Sequence, residues 1–203
     1  MIANDTARNV PSSVYVSHSI STHPAAEDVD YFTAVDDLAG VFEETGSGHM
    51  GNISFDTACM YQFAYIDTDI LMDNLKDTEN KEEIARRAIE AILPTMILET
   101  PDGKQTTMAS RPSPSAVLIE ILDNKQVFDY TNAYAEPVYG YKEPIVKESV
   151  ERLVKECRRD NELYGDYRKV RKTLWLTKED VPFEEAETYT SLKDMVDAVV
   201  AEL

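Results

Sequence analysis

The first half of the chain alternates between apolar runs and a glycine-rich interruption. Apolar and β-branched residues over 14–22, between Pro11 and Pro24, predict a strand. Residues 31–52 have no sustained period and hold four of the seven glycines within twelve residues. That glycine density predicts a long excursion, most simply a hairpin whose tip is residues 44–51.

Helical and strand periods alternate through the middle of the chain. An aromatic-rich run over residues 53–65 predicts a second long strand, and a short helix is expected to open near Asp67. The next helix is expected to begin at a Thr78 cap and to end or kink at Pro94. Its apolar spacing of three and four predicts a core face made by Ile84, Ala88, Ala91 and Ile92.

The last part of the chain carries two more strands and two amphipathic helices. A buried strand is predicted over residues 115–122 and a short apolar strand over 174–176. A helix is predicted over 143–164, and a final helix begins at Ser191. This order predicts an α+β fold in which an antiparallel sheet is backed by helices.

Composition and charge narrow the class of protein. The chain has 203 residues, 43% of them hydrophobic, and no apolar run long enough for a signal peptide or a transmembrane helix, which favours a cytoplasmic globular protein. Cys59 and Cys157 lie far apart and are expected to be reduced core thiols. The net charge of −18 argues against nucleic-acid binding by the whole surface.

The charge is unevenly distributed along the chain. Residues 1–75 hold one basic residue against twelve acidic ones, whereas residues 142–178 hold eleven basic and seven acidic ones. Such asymmetry indicates surfaces that face different partners. The basic stretch contains the only basic patch, interpreted as a solvated helix face rather than a nucleic-acid groove: Arg158, Arg159, Arg168, Lys169, Arg171 and Lys172, interleaved with Tyr164 and Tyr167.

Few residues indicate enzyme chemistry. His18 and His23, followed by Asp30, Asp36 and Asp37, allow a metal or acid/base site, but polar groups at a strand end are the favoured interpretation. No P-loop, nucleophile elbow or zinc-protease motif is present, so neither an enzyme nor a cofactor or metal is indicated.

Two segments carry possible binding chemistry. The loop from Gly103 to Thr107 combines a hinge, the cation of Lys104 and the polar side chains of Gln105, Thr106 and Thr107, which suits either a phosphate clamp or a solvated turn. The excursion carries apolar side chains that either insert into a partner, including between stacked bases, or fold onto their own domain: Leu38, Val41, Phe42 and Met50.

Three stretches together resemble a known family. They are Val16-Ser17-His18-Ser19-Ile20-Ser21-Thr22-His23 with the following residues 30–38, the stretch from Gly48 through Ala64, and residues 101–109. Their order and spacing are similar to those of the CasC family, the backbone subunits of type I-E CRISPR-associated surveillance complexes. The resemblance covers at least residues 10–125.

The resemblance implies a hand-shaped, non-catalytic subunit that holds CRISPR RNA. Several copies stack along one guide, with further complex subunits and, through guide pairing, target DNA as partners. The implied fold is a partial RRM-like (ferredoxin-like) palm at residues 14–30 and 53–125, a thumb hairpin at 31–52, and a C-terminal part at 126–203 within a single domain. The palm grips the RNA backbone, and the thumb displaces one base at a regular interval.

The resemblance also assigns roles to residues. RNA contacts are implied for His18, Ser19, Thr22 and His23 and for the clamp residues Lys104, Gln105 and Thr107. The base wedge is implied for Leu38, Val41, Phe42 or Met50. Asp36 and Asp37 leave RNA cleavage as a minor alternative.

The resemblance covers only the C-terminal portion of the family's length. The first palm strand, the fingers and several basic residues precede that portion in family members. A second hypothesis is therefore an acidic interaction module that binds backbone subunits and modulates or blocks their assembly without holding RNA.

Overall fold

The first part of the chain forms a two-stranded antiparallel ribbon. A computed structural model describes residues 9–35, 47–99 and 105–203. The strands of the ribbon are β1 (Val14–Val16), β2 (Ile20–Ser21), β3 (Ala26–Val35), β4 (Ser47–Thr57), β5 (Met60–Tyr61) and β6 (Ala64–Ile66). β1 pairs with β6, β2 with β5 and β3 with β4, all antiparallel. The predicted hairpin is confirmed, but its predicted tip at 44–51 is wrong for residues 47–51, which belong to β4. The long strands predicted over 14–22 and 53–65 are broken into shorter ones.

Helices and a three-stranded sheet form the second part. The helices are α1 (Thr68–Asn74), α2 (Lys81–Leu98), the short α3 (Gln105–Met108), α4 (Ile145–Tyr164) and α5 (Leu192–Val200), with a 3₁₀ turn at Thr131–Tyr134. The strands are β7 (Ala116–Leu122), β8 (Val170–Thr177) and β9 (Glu187–Tyr189). β7 and β8 are antiparallel, whereas β8 and β9 are parallel. The predicted α+β class is confirmed, with small sheets in place of one continuous antiparallel sheet.

The three-stranded sheet is covered on both faces. Trp175 packs with α4 residues such as Val154 and Cys157, and its ring lies edge-on to Phe183. Its chain neighbour Leu174 faces the other side, where Ile89 of α2 and Met195 of α5 lie. Because successive strand residues point to opposite faces, a sheet buried on both sides requires the almost uninterrupted apolar sequence of β7.

Helix α2 departs from the sequence expectation in its start, its buried face and its end. Its N-cap is Asn80, in the left-handed conformation at φ 57°, and not Thr78. The helix buries Ala85 and Ile89, while Ala88 and Ala91 are exposed. Two neighbouring rows of this helix are both apolar, so the period alone cannot select the one that packs on α5. The helix also continues through Pro94 to Leu98.

Helices α1, α4 and α5 begin close to their predicted positions. Asp67 caps α1 by accepting a hydrogen bond from the Ile70 N–H at 3.0 Å, and Ser191 caps α5. In both cases a short polar side chain satisfies a backbone donor that the first turn leaves free. Within the described residues, no helix is long and apolar enough to cross a bilayer.

Candidate nucleic-acid interface

A bulge breaks the ribbon at His18 and Ser19. On one side of it, the Ser17 N–H donates to the Phe63 carbonyl at 2.8 Å; on the other side, Ile20 pairs with Tyr61. Two residues therefore face Gln62 alone, which is the geometry of a β-bulge. The Ser17 hydroxyl accepts the Phe63 N–H at 3.0 Å and holds the strands together there. His18 and Ser19 are both exposed, so the bulge presents their side chains to solvent.

His23 joins the two strands at the base of the β3–β4 hairpin. Its Nε2 accepts the backbone N–H of Cys59 at 3.0 Å, and its Nδ1 lies 2.8 Å from the Pro24 carbonyl. An Nε2 that accepts and an Nδ1 that donates define one neutral tautomer. Both ring nitrogens therefore make hydrogen bonds within the chain, and His23 stabilises the base of the hairpin.

Thr22 lies inside the molecule. Its exposed fraction is 2%, and its hydroxyl lies 2.8 Å from the Ser149 hydroxyl on α4. Its N–H donates to the Cys59 carbonyl and its carbonyl accepts the Val138 N–H, each at 2.9 Å. Thr22 therefore fastens the hairpin base to α4 and to the loop before it, and its side chain offers no surface to a ligand.

The hairpin presents aromatic side chains that the sequence interpretation did not select. Tyr31 on β3 is 77% exposed and Phe32 is 47% exposed. Phe32 is opposite Gly51, and a Cβ placed on Gly51 would lie 2.4 Å from the ring's Cζ. The ring therefore covers the glycine backbone, where any side chain would collide with it. The two adjacent aromatic residues at 31–32, in a run with Val29 and Thr33, are the signal that could have identified both.

The predicted wedge residues fall mostly outside the described ranges. Met50 is on β4, paired with Thr33, so it belongs to a strand of the hairpin and not to its tip. Leu38, Val41 and Phe42 lie outside the described residues, as do Asp36 and Asp37.

The strands of the hairpin carry carboxylates at their base. Glu27 pairs directly with Asp56, and Asp28 and Asp30 follow on β3. All four are exposed. Like charges directly opposite each other repel and gain nothing from pairing in the ladder. These carboxylates repel a polyanion from this edge.

The predicted clamp loop is partly helical. Gln105 and Thr107 belong to α3, a single turn that ends before Ala109, which has the left-handed φ of 47°. The expectation of an irregular loop at 105–107 is therefore wrong. Lys104 lies outside the described residues.

The predicted basic patch is not one surface. Arg158 and Arg159 are on α4, whereas Arg171 and Lys172 are on β8. Arg158 pairs with Glu185 at 2.8 Å and Lys172 with Glu187 at 2.8 Å. These carboxylates neutralise much of the charge, and the interpretation as one helix face is wrong for the residues that follow the helix.

Arg168 is buried in a polar cluster that sequence reasoning missed. Its guanidinium donates to both Glu120 oxygens at 3.0 and 2.7 Å and to the side-chain Oδ1 of Asn161 at 2.8 Å. The Tyr130 hydroxyl donates to Glu120 at 2.6 Å. Burial alone would lower the pKa of Arg168, but hydrogen bonds and charge from Glu120 outweigh it and raise that pKa. The lone glutamate within the apolar run of β7 was the available signal.

The same cluster suppresses the reactivity of Cys157. Burial, with the Glu120 charge second, raises the pKa of the Cys157 thiol to about 12. The prediction of a core thiol is confirmed for Cys157, which has no exposed surface, whereas Cys59 is only half-buried. Among the described residues, no group of three or more histidine, cysteine or carboxylate side chains is placed to hold a metal.

Comparison with known structures defines the class to which this fold belongs. A chain from a CRISPR RNA-guided surveillance complex in a pre-nicking state is similar over 100% of this chain and 53% of its own length, with 26% identity and a TM-score of 0.82. A chain from a second CRISPR RNA-guided surveillance complex is similar in fold over 99% of this chain and 76% of its own, with 24% identity and a TM-score of 0.77. The protein spans about half the length of the first of these chains.

The family follows from the sequence itself. The model of the CT1975-like protein family matches residues 1–201, and the chain belongs to that family. No curated protein matches the chain.

Proposed function

We propose that the chain is a non-catalytic backbone subunit, or the C-terminal part of one, that holds CRISPR RNA in a type I-E surveillance complex. The observation that carries the proposal is the β3–β4 hairpin, which presents Tyr31 and Phe32 and is fastened to the body at Thr22 and His23. Similarity along the whole chain to a chain of a CRISPR RNA-guided surveillance complex supports it.

The hairpin acts as the thumb, at residues 31–52, and the flanking ladders with residues 53–125 belong to the palm. Side chains on the hairpin enter between adjacent bases of the guide and unstack them, at a cost of a few kcal/mol that new contacts offset. Leu38, Val41, Phe42 and Met50 remain the proposed wedge. Phe32 joins them, because its ring is half exposed and its far end lies over the Gly51 backbone.

Polar residues of the palm position the RNA backbone. His18 and Ser19 are presented by the bulge, where their donors reach phosphate or ribose oxygens. His23 and Thr22 act indirectly, because their polar side-chain atoms hold the hairpin base. Lys104, Gln105 and Thr107 complete the clamp, with Lys104 supplying the charge.

The proposal is tested on the assembled complex. The chain is produced with its neighbouring subunits and a CRISPR array, and the bound RNA is probed base by base with a chemical that modifies unstacked bases. We expect modification at a regular interval, and we expect Phe32→Ala to weaken that pattern while RNA stays bound. Tyr167→Ala, which removes a side chain 78% exposed in the turn before β8, is the matched control and should leave the pattern intact.

The opposite result is equally clear. The proposed thumb and its function are contradicted if the assembly contains the chain but no RNA. They are also contradicted if the RNA is modified without a regular interval and its modification is the same in Phe32→Ala.

Absence of cleavage is tested separately. Complementary RNA and Mg²⁺ are added to the assembly, and the products are separated by length. We expect intact RNA. Fragments at a regular interval that disappear in Asp36→Asn or Asp37→Asn would make the subunit a nuclease.

A second candidate function rests on the acidic base of the hairpin. Glu27 and Asp56 on one face of the hairpin, with Asp28 and Asp30 on the other, make its exposed base anionic and suited to a basic protein partner. In this version the chain binds backbone subunits and modulates or blocks their assembly. It predicts that replacing these four carboxylates by amides releases the chain from backbone subunits, whether or not RNA is present.

A further inference from the structure

Two tyrosines in the loop before α4 form an exposed aromatic pair. The rings of Tyr139 and Tyr141 are stacked, with centroids 5.5 Å apart and planes within 13°. Tyr139 is 55% exposed and Tyr141 is 87% exposed. Side chains this large and this exposed gain little from burial within the chain. One face of the pair is therefore free for a planar ligand.

The backbone between the tyrosines has a conformation that requires glycine. Gly140 has a φ of 67°, which side chains of L-residues rarely allow. A Cβ there would also lie 2.8 Å from Cγ1 of Ile145, the first residue of α4. The two rings that flank this glycine are already stacked on each other without a ligand. That existing arrangement reduces the entropy cost of binding.

The loop is tied to the base of the hairpin. Val138, the residue before Tyr139, has no exposed surface, and its N–H donates to the Thr22 carbonyl at 2.9 Å. Arg152 of α4 donates to the Glu136 carbonyl at 2.5 Å. Tyr139 therefore directly follows a residue whose backbone is hydrogen-bonded to Thr22, between the exposed bulge and the hairpin.

The local charge does not repel a polyanion, unlike that of the chain as a whole. Between residues 136 and 155, four basic residues match four acidic ones, in a chain with a net charge of −18. Two of the basic residues, Lys147 and Arg152, form ion pairs with Glu143 and Glu148, respectively. Lys142 directly follows Tyr141, is exposed, and makes no ion pair with another described residue. A stacking surface next to an available cation is the arrangement that binds single-stranded nucleic acid without reading its sequence.

We propose that Tyr139 and Tyr141 form a stacking site for one unpaired nucleobase of a single-stranded RNA, with Lys142 on the adjoining phosphate. The site deepens the proposed function and rests on it, because its ligand belongs to the same class of RNA. The base lies on the outer face of Tyr141, parallel to both rings. Recognition is independent of base identity, since every base offers a π face.

The test compares two oligomers that differ only in their bases. Binding of the full chain, and of the assembled complex where the chain alone is too weak, is measured with a single-stranded oligoadenylate and with an abasic oligomer of equal length and charge. We expect the oligoadenylate to bind about 5- to 150-fold more tightly, the range that one stacked base provides. Tyr141→Ala should remove that difference, and Tyr141→Phe should keep it.

Two further variants separate stacking from charge and from fold. Lys142→Ala should weaken binding of both oligomers and lower the salt slope by about 0.7, the value for one phosphate contact with a single strand. Tyr167→Ala, which removes another exposed tyrosine, should change neither the affinity for the two oligomers nor the salt slope. Tyr141→Ala should leave the unfolding curve unchanged, because its side chain is mostly solvated.

Each contrary outcome has a distinct meaning. Equal affinity for the two oligomers overturns the stacking site while RNA holding stands. Binding of neither oligomer overturns the stacking site, and an assembly that also retains no guide RNA overturns both proposals. Loss of a protein subunit from the assembly of Tyr141→Ala, with the preference for bases unchanged, makes the pair a protein contact and also overturns the site.

Discussion

At the scale of single residues, the most consequential feature is a buried charge pair that closes the core. The Arg168 and Glu120 side chains are 1% and 8% exposed and meet through two hydrogen bonds. Arg168 also lies over the rings of Phe128 and Tyr130, at 5.2 and 6.0 Å from their centroids. Its Nε has no hydrogen-bond partner among the described residues, so the cluster is held by the two terminal nitrogens.

Removing one member of this pair should cost more than removing both. Arg168→Met leaves Glu120 charged and buried, and we expect the free energy of unfolding to fall by about 3–5 kcal/mol. Arg168→Met combined with Glu120→Leu should recover most of that loss, because no ion is then left in the apolar interior. Urea unfolding of the single and double variants measures both quantities.

A surface ion pair provides the reference for this comparison of single and double variants. Lys193→Ala breaks the exposed i,i+4 contact with Asp197 and should change stability by less than about 1 kcal/mol. If the double variant is no more stable than Arg168→Met alone, the cluster acts through packing of the guanidinium and not through compensation of charge.

The sequence supports some residue assignments better than others. An N-cap side chain accepts a hydrogen bond from the helical turn that directly follows it, so Asp67 and Ser191 could be identified from the neighbouring sequence. Thr22 and His23 could not, because their partners Ser149 and Cys59 lie 127 and 36 positions away. The family resemblance implied RNA contacts for both, whereas the fold uses their polar atoms to hold elements together.

At the scale of elements, the same contrast separates the hairpin from its ladders. Glycine density predicted the excursion because chain reversal is a local property. The bulge at His18 and Ser19 could not be predicted, because it depends on the register between two strands and a side chain, Ser17, that bonds across them. Helix α2 shows a related limit: the hydrophobic period predicts that the helix has a buried face, but it does not tell which of two neighbouring apolar rows is buried.

Gly51 and Phe32 should be coupled within the hairpin. Glycine in a strand is usually about 0.5–1 kcal/mol less stable than alanine, so Gly51→Ala should stabilise a hairpin that lacks the ring. With Phe32 present, the new Cβ meets the ring at 2.4 Å and displaces it. The ring is half exposed and can swing aside, so we expect the gain to be cancelled and not replaced by a large loss.

Amide hydrogen exchange of β3 and β4 measures this coupling. Protection is compared in the unmodified chain, in Gly51→Ala, in Phe32→Ala and in the double variant. We expect Gly51→Ala to increase protection only where Phe32 is already alanine. Equal increases in both backgrounds would show that the ring does not rest on the glycine.

At the scale of the whole molecule, the charge of −18 and the proposed RNA ligand must be reconciled. Part of the positive charge is internal, since Arg168 is buried against Glu120, and part is paired with carboxylates of the tail. The exposed acids Glu27, Asp28, Asp30 and Asp56 gather at the hairpin base. The RNA is expected to lie away from these four carboxylates, and its affinity must come from few cations and from aromatic surface.

Lys104 tests this distribution of charge in the assembled complex. Lys104→Ala should weaken RNA retention, and the slope of log affinity against log salt should become shallower by about 0.7, because one phosphate contact with a single strand is lost. Lys169→Ala removes another cation, exposed on the turn before β8 and without an ion pair to the described residues, and should leave the slope unchanged. RNA release is followed by titration with salt. Identical slopes for Lys104→Ala and the unmodified assembly would remove the clamp and favour the interaction module, since such a module holds protein and not phosphate.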